Sequence, residues 1–455
     1  MLSALTHMQN QIEEQPRTLI VGLGKTGLSC ARFLSAQGVD VAVVDSREHP
    51  PGHDVLAKEL PEVPVFLGSF EQTVFDRAER IILSPGVPLN TQEVVAARER
   101  GCEVIGDIEL FARYVQAPVI AITGSNGKST VTTLLASMAQ EARLEVRAGG
   151  NLGTPALDLL CATEPDLYVL ELSSFQLETV VSLKPVASVV LNVSPDHMDR
   201  YTSLKEYAAV KQTIYRNVQH AIINRDDALV VATDVSAEMC SYGLSAPESD
   251  LDFGVREKDG EIWLVRGQEA LLRAEQLRIP GRHNISNALA ALALGDAAGF
   301  PLSAMLTAIT NFRGLEHRTQ WVAESDSVRW YNDSKATNIG AALAAIQAIK
   351  GPIVLIAGGQ GKGADFQELA DGIGTQLRAA VLLGEDADRI GGALGSRVDC
   401  HYVSSMQRAV SCASRLARSG DAVLLAPACT SFDMYRDYAQ RGDEFVREVE
   451  KLVRS

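Results

Sequence analysis

The run Thr123-Gly124-Ser125-Asn126-Gly127-Lys128-Ser129-Thr130 carries the residue types that hold a polyphosphate. Glycines let backbone amides approach closely, a lysine reaches the terminal phosphates, and a hydroxyl is available for Mg²⁺. The run follows a β-branched stretch at 119–122 and opens a helical pattern, the context such a loop needs. Ile122 stands where the full GxxxxGK pattern has its first glycine, so this is a shortened variant. The plain alternative is a glycine-rich connector; a nucleoside triphosphate is the expected ligand. A second run, Gly22-Leu23-Gly24-Lys25-Thr26-Gly27, is a complete GxGxxG after the first strand pattern, and Asp45 ends the next one. Taken alone it predicts a nicotinamide or flavin dinucleotide, unless it is only a turn that packs a helix on a sheet. Ser46, Arg47 and the turn Ser84-Pro85-Gly86 add donors nearby, so two loops imply two phosphorylated ligands.

Other chemistry-bearing residues follow strand patterns, where open parallel sheets bind ligands. Glu171 closes Tyr168-Val169-Leu170 and precedes Ser173; His197 sits in Ser194-Pro195-Asp196-His197-Met198-Asp199. A carboxylate and an imidazole flanking a phosphate loop could hold Mg²⁺, whereas each alone is an ordinary cap or loop residue. Lys211, in a helical pattern, reads from spacing as an exposed lysine. Toward the C-terminus lie Asn332-Asp333-Ser334-Lys335-Ala336-Thr337-Asn338, Gly358-Gly359-Gln360-Gly361-Lys362-Gly363 and Ala426-Pro427-Ala428-Cys429-Thr430-Ser431-Phe432-Asp433. Singly these are loops or caps; together their Lys, Thr and Ser donors suit an acidic ligand.

The elements that must position these residues are short apolar runs at 18–21, 39–44, 119–122, 168–170, 186–191, 221–223, 353–356, 380–383 and 422–425, alternating with helical patterns. That alternation predicts βαβ units and parallel sheets covered by helices. Val131, Leu134, Leu135, Met138 and Ala142 mark one helix, and 246–278 reads as a small antiparallel excursion. A chain of 455 residues exceeds one ordinary core, and periodicity pauses near Gly106 and at 313–317, which predicts domains at 1–106, 107–314 and 315–455. A net charge of −15 excludes a broad basic surface for nucleic acid or anionic membranes. Seven scattered cysteines, no signal-like N-terminus and no apolar run long enough to span a bilayer predict a cytoplasmic protein.

Taken in order along nearly the whole chain, these motifs resemble the Mur ligases, the ATP-dependent amide-forming enzymes of bacterial peptidoglycan synthesis, and most closely their D-glutamate-adding branch. The Glu171–Glu178 stretch, His197 to Arg200, Gly281-Arg282-His283-Asn284 and His317-Arg318 carry the likeness beside the loops above. The resemblance implies an α/β protein of three domains: a Rossmann-like N-terminal domain, a central P-loop ATP-binding domain and a Rossmann-like C-terminal domain. It implies a UDP-sugar rather than NAD on the first, lined by Thr26, Ser46, Arg47, Ser84 and Gly86, with Asn151 and Ser173 near the sugar. It assigns ATP to Gly124, Ser125, Asn126, Gly127, Lys128, Ser129 and Thr130, with Asn284, Arg318 and Asp333. Two Mg²⁺ ions fall to Ser129, Glu171, His197 and a Lys211 carbamylated by CO₂, and catalysis to Lys128, Glu171, His197 and Lys211. D-Glutamate falls to Lys335, Thr337, Lys362, Ser431 and Tyr438, the last replacing a Phe of the family pattern.

The implied reaction activates the carboxylate of UDP-N-acetylmuramoyl-L-alanine as an acyl phosphate, which the D-glutamate amine then attacks. Small-molecule partners only, with no nucleic acid or membrane, and a monomeric state complete the expectation. A folate-glutamate ligase, an oxidoreductase using the first loop, and a non-catalytic switch reading guanine through Asn224-Arg225-Asp226-Asp227 are the rivals.

Overall fold

The computed structural model describes residues 17–160, 162–194, 200–231 and 236–454. Three sheets carry the chain. The first contains β1 (Thr18–Val21), β2 (Val41–Asp45), β3 (Val65–Leu67), β4 (Arg80–Leu83) and β5 (Glu103–Gly106) in the order β3-β2-β1-β4-β5. All its pairings are parallel. Order reverses at β1, so the loops after β1, β2 and β4 open into one crevice. β1, fully buried, reads as an unbroken apolar run, as a strand covered on both faces must.

The second sheet has nine strands: β6 (Val119–Thr123), β7 (Val146–Gly150), β8 (Leu167–Glu171), β9 (Ala187–Val190), β10 (His220–Asn224), β11 (Glu238–Tyr242), β12 (Phe253–Lys258), β13 (Glu261–Arg266) and β14 (Glu269–Arg273). Its order is β14-β13-β12-β11-β10-β9-β6-β8-β7. From β10 to β7 neighbours run parallel, so five adjacent strands end on one edge and deliver their loops side by side. The excursion expected at 246–278 is the antiparallel β12–β13 pair with β14. The helix Lys128–Glu141 buries Val131, Leu134, Leu135 and Met138; Ala142 is its C-cap, outside the buried stripe.

The third sheet, β15 (Gln320–Ser325), β16 (Val328–Asn332), β17 (Ile353–Gly358), β18 (Leu377–Leu383), β19 (Asp399–Tyr402) and β20 (Ala422–Leu425), runs β15-β16-β20-β17-β18-β19. Only β15 is antiparallel. The ends of β16, β20 and β17 are therefore neighbours. By internal contacts the chain forms two compact units, one of residues up to Leu271 with Ser286–Ala308, the other of Leu272–Ile285 with the rest from Ile309. The first sheet and the second from β6 to β13 thus share a unit, with the boundary falling inside β14. The stretch at 313–317, expected as a linker, is folded: Leu315 bridges Arg318, and His317 is buried with Nδ1 3.1 Å from Asn332 Nδ2. Among the described residues no helix is long and apolar enough to cross a membrane, and the six cysteines described are free.

Candidate active site

In the first unit, a cavity of about 640 Å³ lies over the end of the first sheet and reaches the second. Thr26, Ser46, Arg47, Ser84, Gly86 and Asn151 line it, and so does Gln176. Ser173 does not line it; its hydroxyl caps the helix Ser174–Leu177 and its amide donates to Gln176 Oε1 at 3.0 Å. The loop after β1 turns tightly: a Cβ on Gly27 would sit 1.9 Å from Gly22 O, so only glycine fits. Asp45 corrects the dinucleotide reading. Its carboxylate accepts the Leu23 amide at 2.6 Å, the Arg47 amide at 2.9 Å and both arms of the Arg47 guanidinium. Burial pushes its pKa up, but those donors outweigh burial and hold it below the usual range. A carboxylate committed to its own loop is not the ribose acceptor that a nicotinamide dinucleotide requires.

The phosphate loop leaves β6 and enters the helix Lys128–Glu141 through Gly127, at φ +85°. A Cβ there would meet Asn287 Oδ1 at 2.4 Å. Lys128 Nζ lies over the loop, 2.8 Å from Gly124 O and 3.1 Å from Ser125 O. Residues 191–194, after β9, pack along the loop: Asn192 Oδ1 accepts the Asn126 amide at 2.8 Å, and the Ser194 amide donates to Ser125 Oγ at 3.0 Å. On the other side Glu171 ends β8, in register with Ile122 of β6. Glu171 is 2% exposed; Oε1 accepts Asn151 Nδ2 at 2.6 Å and Oε2 is buried without a hydrogen-bond partner. A buried carboxylate oxygen with its lone pairs open, on the strand paired with the one that leads into the phosphate loop, fits a hard divalent cation. Among the described residues no three His, Cys, Asp or Glu side chains cluster. His197 lies outside the described residues.

Lys211 corrects the spacing-based expectation. It is 1% exposed, with Nζ 3.1 Å from Gly124 O, 3.5 Å from Thr123 Oγ1 and 4.5 Å from the centre of the Tyr207 ring. The helix Leu204–Gln212 buries Tyr207, Ala208 and Lys211, three residues on one face. That spacing was legible: a lysine four residues after a tyrosine shares its face.

In the second unit three loops emerge side by side from β16, β20 and β17. Lys335 Nζ lies 5.1 Å from the Tyr438 ring, and Lys362 Nζ 5.4 Å from the exposed ring of Phe432. Thr337 donates its amide to Lys335 O, and Ser431 is buried, its carbonyl accepting the Tyr435 amide at 2.7 Å. Asp333 accepts Thr319 Oγ1 at 2.9 Å, and burial raises its pKa to about 6. Arg318 stands close enough to Asp333 to oppose that rise, and Asn284 donates to Pro280 O at 2.7 Å.

Sequence reasoning missed Arg441. Its guanidinium, 2% exposed, donates to Ser334 Oγ and O, Cys429 O, Thr430 O and Gly358 O, acceptors on the loops after β16 and β20 and on the residue that ends β17. Nothing in its helical neighbourhood distinguishes it from the surface arginines around it. Also missed was Asp107, 3% exposed, which accepts Gln176 Nε2 at 2.9 Å behind the cavity wall.

Comparisons with known proteins agree with this layout. Residues 16–106 match the family model described as Mur ligase MurD-like, N-terminal domain; 122–295 match the Mur ligase middle domain; 317–429 match the Mur ligase, glutamate ligase domain. The UDP-N-acetylmuramoylalanine–D-glutamate ligase of Nitrosococcus oceani is 53% identical, over 96% of this chain and 97% of its own. That of Marinobacter nauticus is 52% identical over 96% and 98%. Among solved structures, the UDP-N-acetylmuramate-alanine ligase of Thermotoga maritima superposes with a TM-score of 0.54 at 19% identity, covering 96% of this chain and 100% of the other. That likeness speaks for the fold.

Proposed function

The chain belongs to the Mur ligase family, and from that premise and the geometry of its site we infer that it joins D-glutamate to UDP-N-acetylmuramoyl-L-alanine at the expense of ATP. One observation carries the reading. Asn151 lines the cavity beside the first sheet and also donates to Glu171, the open carboxylate next to the phosphate loop. A sugar nucleotide bound in that cavity therefore extends toward the place where ATP would present its γ-phosphate.

The domains divide the work as 1–106 for the UDP-sugar, 107–314 for ATP and 315–455 for the amino acid. Thr26, Ser46, Arg47, Ser84 and Gly86 hold the nucleotide end, and Asn151 and Ser173 belong to the sugar end. The substrate's L-alanyl carboxylate attacks the γ-phosphorus, the bond to the ADP oxygen breaks, and an acyl phosphate forms. Lys128 and the amides at the start of its helix offset charge on the transferring group. Mg²⁺, when bound by Ser129 and Glu171, neutralises phosphate charge; we assign His197 and a carbamylated Lys211 to the same ions. The carbamate needs a neutral amine, and a lysine taken out of water is the kind that supplies one. Asn284, Arg318 and Asp333 complete the ATP contacts.

D-Glutamate sits among Lys335, Thr337, Lys362, Ser431 and Tyr438. Its neutral amine attacks the acyl carbon, the tetrahedral intermediate collapses, and phosphate leaves. The protein works as a monomer in the cytoplasm. Purified protein with ATP, Mg²⁺ and UDP-N-acetylmuramoyl-L-alanine should release ADP only when D-glutamate is added. Turnover with L-glutamate or meso-diaminopimelate in its place would refute the assignment.

A further inference from the structure

The stretch Asn224-Arg225-Asp226-Asp227 is left unused by this reaction, and its contacts exclude the guanine-reading role its composition suggests. Both oxygens of Asp227 are taken by backbone amides, Oδ2 by Val193 at 2.8 Å and Oδ1 by Leu229 at 3.0 Å. Asn224 is 6% exposed; its Nδ2 donates to Leu191 O at 2.7 Å and its Oδ1 accepts the Asp226 amide at 2.9 Å. Leu191 and Val193 belong to the segment that lies against the phosphate loop.

We propose that Asn224 and Asp227 are positioning residues for the nucleotide, acting through residues 191–194. The segment is held from two sides. On its outer side are the Asn224 amide group and the Asp227 carboxylate, and Tyr242 OH donates a second bond to Leu191 O at 3.3 Å. On its inner side it bonds the phosphate loop at every residue from Ser125 to Asn126: the Ser125 amide donates to Asn192 O at 2.9 Å, the Asn192 side chain bonds both Asn126 N and Asn126 O, and Ser194 N donates to Ser125 Oγ. Gly124 is packed so closely that a Cβ there would stand 2.9 Å from Leu191 Cβ. A displaced segment therefore displaces the loop. The geometry follows from the sheet: β10, β9 and β6 are parallel neighbours, so the loop after β10 braces the loop after β9, and that loop braces the phosphate loop.

Asp226 supplies the control. It lies in the same turn and makes the same kind of bond, its Oδ2 accepting the Leu244 amide at 2.7 Å, but that bond faces away from residues 191–194. A purely structural role for this turn would make Asp226 and Asp227 equivalent.

The inference rests on the ligase reading, and the test separates the two. Steady-state ADP release is measured in the full-length protein for Asp227→Ala, Asp227→Asn, Asn224→Asp and Asp226→Ala, with thermal unfolding of each. Asp227→Asn keeps the volume but turns an NH₂ toward an amide N–H, and Asn224→Asp turns an oxygen toward Leu191 O, so both test the bonds if the alanine variant fails to fold. The expected result is a KM for ATP raised about tenfold in the Asp227 and Asn224 variants. KM for the UDP-sugar and D-glutamate should change less than twofold, and Asp226→Ala should lower melting without altering KM for ATP. An unchanged KM for ATP, or an equal rise in Asp226→Ala, overturns the proposal. A parent protein that releases no ADP under any of these conditions refutes the ligase reading instead.

Discussion

Replacing Arg441 with Met tests how the amino-acid site is built. The guanidinium is 2% exposed, and burial lowers its pKa to about 10, so the folded protein bears about 3 kcal/mol to keep the charge inside. What offsets that is donation to loop acceptors, three of them at 3.1 Å or less: Ser334 O, Ser334 Oγ and Cys429 O. Methionine fills similar volume and removes the buried charge but leaves those acceptors unsatisfied, at about 1–3 kcal/mol each. The middle of that range, less the charge burial recovered, predicts a loss of roughly 3 kcal/mol. Urea unfolding of the full chain reads it when Trp263 is changed to Phe in both proteins, because Trp321 and Trp330 then report only the second unit. With a slope of about 1–3 kcal/mol per molar urea, the midpoint should fall by about 1–3 M. KM for D-glutamate should rise with it, since the loops after β16 and β20 and the end of β17 lose their common anchor, while KM for ATP moves less. A midpoint within about 0.3 M of the parent, together with an unchanged KM for D-glutamate, would show that the loops hold themselves.

Asp107 predicts a pH dependence. Burial raises its pKa to about 6 from an ordinary 3.8, so as pH falls the folded chain takes up this proton before the unfolded chain does. Stability from this residue therefore grows as pH drops from 7.5 to 5, by about 1.4 kcal/mol, and Asp107→Asn should remove that increment from the unfolding free energy; Asp333, with the same sign, retains its own. Lys211→Ala should abolish ADP release by at least about a hundredfold while UDP-sugar binding by calorimetry persists, and intact mass of the parent in bicarbonate should show a carbamate-sized addition that the variant lacks. Gly127→Ala places a Cβ 2.4 Å from Asn287 Oδ1 at a φ of +85°, so KM for ATP should rise by about tenfold or more, with the UDP-sugar affinity unaltered.

Much of this is legible in the sequence. The glycine loops sit where strand and helix patterns meet, because the close backbone approach at Gly27 and the left-handed turn at Gly127 admit no side chain. The strands buried on both faces, β1, β6, β8, β9, β17 and β20, show as apolar runs, whereas the partly exposed β3, β7 and β19 leave no such run. What sequence could not show is which carboxylates and cations are already spent. Asp45 occupies the position of a ribose acceptor yet closes its own loop through Leu23 and Arg47. Lys211 follows a helical pattern, and only its alignment with Tyr207 hinted at burial. Arg441 joins groups 11 to 107 residues away in sequence, and contacts of that range leave no local periodicity.

The most direct test of the account labels the terminal carboxylate of UDP-N-acetylmuramoyl-L-alanine with oxygen-18 and follows the label through one turnover with ATP, Mg²⁺ and D-glutamate. Activation as an acyl phosphate predicts one labelled oxygen in each phosphate released, in amount equal to the amide formed. Unlabelled phosphate alongside amide product would contradict it.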